Sequence, residues 1–211
     1  MQICVNFSAN YYIQLVFHQR GAATLKITSL TIPDVLALEP KKFGDDRGYF
    51  SEVFNQKQLI QAGADLDWVQ DNHAMSRDAG TLRGLHFQCP PHAQSKLVRV
   101  VRGSIFDVAA DIRNGSPTFG KWVSATISAQ AWNQILVPAG FAHGYLTLEP
   151  ATEVLYKVDN YYAPDADAGL LWSDPDIAID WPLTSAGPIL SDKDRTLPCL
   201  TDIASPFDYE A

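Results

Sequence analysis

The chain has 211 residues, 46% hydrophobic and 19% charged, which is ordinary for a globular protein and enough for one domain with a real core. Sixteen Lys and Arg against 24 Asp and Glu give a net charge of −8 with no basic stripe, which excludes nucleic acid as an expected partner but leaves room for one small anion held by a few local cations. Three widely spaced cysteines (Cys4, Cys89, Cys199) without a CxxC exclude a disulfide framework and a zinc knuckle and make a reducing cytoplasm the default, and no apolar run is long enough to span a membrane.

Residues 1–24 hold apolar patches between Tyr11 and Phe17 but neither a basic leader nor a small-residue cleavage site, so neither a signal peptide nor an anchor is expected there. The foldable pattern begins with the alternation Leu25-Lys-Ile-Thr-Ser-Leu, and extended character continues through 34–40. Phe43-Gly-Asp-Asp-Arg-Gly is a turn that delivers Arg47 to a strand over 49–54. Asn55 caps a short helix running to Ala62 and stopped by Gly63. Residues 68–75 alternate again, with Gln70 and Asn72 on one face.

Gly80 to Val100 reads as two strands joined by the Pro90-Pro91 turn, and if they pair as a hairpin they gather Arg83, His86, Gln88 and Lys96 on a common surface. Further strands follow over 104–112, 121–127, 135–137, 144–148 and 152–158, separated by Gly and Pro turns at regular spacing. That rhythm predicts an antiparallel sandwich or barrel. From Tyr161 on, Pro, Asp and Trp dominate, as in an arm wrapped over such a body.

Histidine, lysine and arginine crowded on one strand face make a poor core and a good anion and proton-transfer site. A lone His86 would most simply be structural; Arg83 and Lys96 beside it shift the balance to function. Among these cations it needs a carboxylate to orient it as a base, and Asp107 and Asp194 are the candidates. Arg83 and His86 have opposite strand parity, so both reach one cavity only if Gly84 sits at a bulge. Tyr156 on a strand is usually packing, but in a polar cavity opposite a histidine it is a proton donor. Arg47, Glu52, Gln70, Asn72 and Lys193 singly read as surface residues. With Arg83, Lys96 and His143 they supply the cations and amides that a nucleoside diphosphate needs, in a chain with no glycine-rich helix-opening loop.

Gly80-x5-His86-x-Gln88 and Pro138-x-Gly140-x2-His143 resemble the paired signatures of cupin jelly rolls. The resemblance implies an all-β fold, an antiparallel double-stranded β-helix with a few short peripheral helices. Gln88 stands where metal cupins place a second histidine, so two histidines are left and no metal is expected.

The segments 43–52 (Phe-Gly-Asp-Asp-Arg-Gly-Tyr-Phe-Ser-Glu), 70–73, 80–88, 94–100, 116–120, 137–144, 156–164, 171–175 and 190–194 together resemble the dTDP-4-dehydrorhamnose 3,5-epimerase family over about residues 25–200. The resemblance implies a cofactor-free, cytoplasmic, homodimeric isomerase acting on dTDP-4-dehydro-6-deoxy-D-glucose. The family's base falls on His86 with Asp194 as its orienter, the proton donor on Tyr156 and the enolate-stabilising cation on Lys96. Substrate contacts fall on Arg47, Glu52, Gln70, Asn72, Arg83, His143 and Lys193, and thymine stacking on Tyr162. Asp167 stands where a glutamate is usual. Residues 25–211 are expected to form the single epimerase domain, with residues 1–24 an extension upstream of the native start, which N-terminal sequencing of native protein decides. An epimerase of C3 or C5 alone and a non-catalytic sugar-nucleotide binding protein are the alternatives; the second has no use for an acid–base pair.

Overall fold

Strands β1 (Leu25–Ser29) and β2 (Leu36–Pro40) pair antiparallel, with Ile32 and Val35 buried in the connection between them. They open the computed structural model, which describes residues 24–210. The expectation for an N-terminal extension falls, but for Thr24, outside the described residues. β3 (Lys42–Asp45) and β4 (Gly48–Ser51) form a separate two-stranded hairpin. The strand expected over 49–54 is thus shorter, and starts at a glycine whose φ of 131° only glycine adopts readily. Helix α1 (Gln56–Gln61) starts where expected, because the Asn55 side chain accepts from the Gln58 N–H and satisfies one free donor of the first turn.

Nine strands complete the body: β5 (Gln70–Ser76), β6 (Leu82–Gln88), β7 (Lys96–Arg102), β8 (Ser104–Asp111), β9 (Trp122–Ser128), β10 (Gln134–Val137), β11 (Phe141–Thr147), β12 (Thr152–Val158) and β13 (Asp167–Gly169). They make a six-stranded sheet ordered β1-β2-β10-β7-β12-β5 and a five-stranded sheet ordered β13-β6-β11-β8-β9. The two antiparallel sheets form a jelly roll of cupin type.

One sequence expectation is overturned here. β6 and β7 do not pair as a hairpin: β6 lies between β13 and β11 in one sheet, β7 between β10 and β12 in the other. Each finds two partners this way, whereas a local hairpin would leave both sheets short of a central strand. Arg83 and His86 therefore face Lys96 across the sandwich rather than beside it.

Apolar residues fill three layers. Val100, Ile105, Val123, Ile127, Ile135 and Val154 close the interior between the sheets. Helix α1 covers one outer face, where Leu59 packs with Leu38, Leu97 and Leu136. The C-terminal arm covers the other, setting Leu170, Ile177, Trp181, Leu200 and Phe207 on Leu82, Val108 and Leu146. Burial of such side chains stabilises by roughly 1.5–3 kcal/mol each. It also places helix α2 (Asp192–Arg195) at the mouth of the sandwich.

Candidate active site

A cavity of about 430 Å³ opens between the sheets. The five-stranded sheet contributes Arg83, His86, His143 and Tyr145, the six-stranded sheet Lys96 and Tyr156, and the arm Ser191, Lys193 and Asp194. On β11 simple alternation aims His143 and Tyr145 inward. On β6 it does not suffice, because Arg83 and His86 are three residues apart. Their partners on β11 are Tyr145 and His143, two apart, so β6 carries one extra residue: a bulge. Gly84 makes it feasible, with φ of 136° and no room for a side chain, since a Cβ there would lie 2.5 Å from Gly144 Cα.

Two His–Asp pairs stand side by side, since His86 and His143 are themselves cross-strand partners. His86 Nε2 is 2.5 Å from Asp194 Oδ1, and the His86 side chain is 30% exposed to the cavity. Of the two carboxylates open to it in the sequence, Asp194 is the one that meets His86. It sits in the first turn of α2, where its backbone N–H donates to Ser191 Oγ (3.1 Å) and Ser191 Oγ–H donates back to Asp194 Oδ2 (2.8 Å). Asp107 meets His143 instead, with both oxygens within 2.9 and 3.0 Å of Nε2; this pair is nearly sealed, at 7% and 0% exposure.

The field in the cavity follows from burial and these partners. Burial acts to raise the Asp194 carboxyl, but the hydrogen bond and charge of His86, the Ser191 hydroxyl and the Lys193 charge outweigh it, so the group ionises below the usual carboxylate range. Burial pushes Lys96 down to about 8 despite the attraction of Asp107 and Asp167. Burial raises Tyr156, partly countered by Arg83, and raises Tyr145 to about 12, so both phenols keep their protons at neutral pH. Lys96 Nζ also reaches the His86 carbonyl at 3.4 Å.

Arg83 is held by Ser76 Oγ and the Met75 carbonyl, each at 3.3 Å. Gln70 and Asn72 share one face of β5, as expected, and bond to each other at 2.9 Å; Gln70 Oε1 accepts from the Tyr162 N–H. Asp167 Oδ2 accepts from both Lys193 Nζ (2.5 Å) and the Tyr162 hydroxyl (3.2 Å), which links the arm to the segment after β12.

Arg47 and Glu52 are not brought to this cavity. Arg47 is 89% exposed at the tip of the β3–β4 hairpin, paired with Asp45, and Glu52 bonds Asn55 and Gln58 beside it. Tyr145 and Ser191 line the cavity although sequence reasoning singled out neither. The Ser191-x-x-Asp194 spacing of a helix cap was the visible signal for one, and the alternation from His143 for the other. Among the described residues no three His, Cys, Asp or Glu side chains converge as a metal site, and each cavity histidine is committed to an aspartate.

Residues 29–202 match the family described as dTDP-4-dehydrorhamnose 3,5-epimerase. A relative of that name from Sinorhizobium fredii is 51% identical over 181 residues, 86% of this chain and 92% of that one. The crystal structure of the Bacillus anthracis protein of the same name, with TDP and pyrophosphate bound, superposes with a TM-score of 0.80 at 52% identity, covering 83% of this chain and 99% of that chain. The dTDP-6-deoxy-D-glucose-3,5-epimerase of Legionella pneumophila, in complex with dTDP-4-keto-L-rhamnose, superposes at 0.84 with 40% identity over 89% of this chain and 100% of its own.

Proposed function

The chain belongs to the dTDP-4-dehydrorhamnose 3,5-epimerase family, and we propose how its own residues carry out that isomerisation. The enzyme converts dTDP-4-dehydro-6-deoxy-D-glucose to dTDP-4-dehydro-L-rhamnose by inverting C3 and C5, in dTDP-L-rhamnose biosynthesis. The C4 ketone acidifies the C–H bonds on either side of it. Asp194, ionised, accepts the Nε2 proton of His86, which leaves Nδ1 as the basic nitrogen that removes a proton from one face of the sugar. Charge developing on O4 is met by the Lys96 ammonium. Tyr156 returns a proton from the opposite face, so the centre inverts; a single group on one face would only exchange the proton. The observation that carries this reading is that His86 and Tyr156 stand on opposite sheets of one cavity.

Arg83, His143 and Lys193 hold the sugar diphosphate, with Gln70 and Asn72 alongside, while Tyr162 stacks on thymine beside Asp167. No cofactor enters this scheme. Arg47 and Glu52 act in a homodimer: the β3–β4 hairpin, with Phe43, Tyr49 and Phe50 exposed, reaches the partner subunit and offers its cation to the partner's diphosphate. No described helix is long and apolar enough to cross a membrane, and Cys89 and Cys199, both unbridged, suit a reducing cytoplasm. Residues 25–211 act as one epimerase domain.

Incubation with substrate in D₂O, read by NMR, tests the chemistry. Deuterium enters both C3 and C5 with wild type and neither with His86→Ala. Tyr156→Phe exchanges without inverting. Label at one carbon only overturns the two-centre mechanism. For the dimer, mixing inactive Arg47→Ala and His86→Ala proteins restores activity by giving one intact site per mixed dimer; no recovery in a proven mixed dimer overturns the shared site.

A further inference from the structure

Gln88 shares strand parity with His86, two residues away, yet it does not line the cavity. The residue is 4% exposed, its side chain turned to the backbone of neighbouring segments. Nε2 donates to the His92 carbonyl (2.6 Å) and the Tyr161 carbonyl (3.2 Å), and Oε1 accepts from the Ala163 N–H (2.8 Å). Both donor hydrogens and the acceptor of the amide are thereby engaged. From the other sheet, Gln70 takes the Tyr162 N–H at 3.1 Å. The segment 161–163 is irregular, and Tyr161 and Tyr162 are 64% and 56% exposed. An exposed ring on irregular backbone is not located by packing. It stands where it is tied: Gln88 and Gln70 hold the segment to the two sheets, the Tyr161 N–H donates to Asn160 Oδ1 (2.9 Å), and the Tyr162 hydroxyl donates to Asp167.

We propose that Gln88 is a positioning residue for the nucleoside end of the substrate: it ties Tyr161–Ala163 to the strand that bears His86 and so sets the distance between the stacking ring and the base. This rests on reading Tyr162 as the thymine-stacking residue. An amide suits the task because one planar group offers two donors and an acceptor. Leucine offers none, and glutamate keeps the acceptor for Ala163 N–H while opposing two carbonyl oxygens with a carboxylate.

The test compares Gln88→Leu, Gln88→Glu, Tyr162→Ala and the double variant Gln88→Leu/Tyr162→Ala, each with dTDP affinity measured by calorimetry and with kcat and KM for the full substrate. Each single change is expected to raise the dTDP Kd and KM about tenfold or more, since small misplacements of binding groups have effects of that order, with kcat within about threefold of wild type. The double variant binds dTDP no more weakly than Tyr162→Ala alone. Additive losses in the double variant, unchanged dTDP affinity in the Gln88 variants, or a fall in kcat at constant KM each overturn the proposal. Tyr162→Ala without effect on dTDP overturns the stacking reading and the route through Tyr162 together, whereas Tyr162→Ala weak with Gln88 variants normal overturns the role of Gln88 alone. If Gln88→Leu does not fold, the near-isosteric Gln88→Glu carries the comparison, read on protein with the wild-type unfolding temperature.

Discussion

The two His–Asp pairs of the cavity have the same chemical formula and opposite surroundings. His143–Asp107 is built within one sheet, from neighbouring strands β11 and β8, with the carboxylate fully buried and both of its oxygens on one nitrogen. His86–Asp194 joins a strand to the C-terminal arm across 108 positions of sequence, uses one oxygen, and leaves the imidazole open to the cavity. The first is nearly sealed and meets the cavity only through its imidazole. In the mechanism proposed above the second exchanges protons, because a general base needs a free face and a partner that orients it without sealing it. Identical residue types thus acquire different work from burial alone.

The sharpest way to break that comparison is to delete each histidine. His86→Asn is expected to lower kcat by about 10³–10⁴-fold, the upper range of a positioned base, and His143→Asn by about 10²-fold or less. Equal losses measured under saturating substrate would show that both imidazoles act in the chemistry. The aspartates come next. Asp194→Asn should cost about 10²–10³-fold in kcat through loss of the correct tautomer and orientation. Asp107→Asn should instead cost about 1–3 kcal/mol of stability in denaturant titration, because it disturbs a buried hydrogen-bonded acceptor.

A smaller effect concerns Lys96, whose ammonium loses its proton at about 8 because it is buried. Activity that depends on that charge is full below this value and falls as the pH rises through it. Tyr156, displaced upward, stays protonated over the same range. In Lys96→Arg the alkaline fall is expected to disappear from whatever activity is left, which a kcat profile from pH 6 to 10 reads directly. The smallest effect is on acid stability. Asp194 ionises below its ordinary value when folded, so it contributes stability above the unfolded carboxylate pKa and loses it as the pH falls through the folded one. Asp194→Asn should flatten that part of the unfolding-temperature profile, which thermal unfolding followed through the acid range reads.

Much of the molecule was legible from residues in order. Period-two alternation marks the strands, Asn55 marks the start of α1, and the opposite parity of Arg83 and His86 already demanded a bulge at Gly84. The catalytic residue types are likewise local features, because each motif spans a few residues and side-chain direction on a strand is set by neighbours two positions away. What alternation cannot report is the sheet to which a strand belongs. β6 and β7 read as a hairpin in sequence, and the fold sets them on opposite walls because each gains two long-range partners. In the same way the residues by themselves showed that His86 needed a carboxylate and left Asp107 and Asp194 open, the family resemblance pointed to Asp194, and the tertiary structure supplies the physical reason for Asp194. The apolar residues of the arm dock on the outer face of the five-stranded sheet and carry α2 to the cavity, whereas pairing of β8 with β11 commits Asp107 to His143. Such choices depend on burial summed over residues far apart in the chain, a quantity that no local pattern contains.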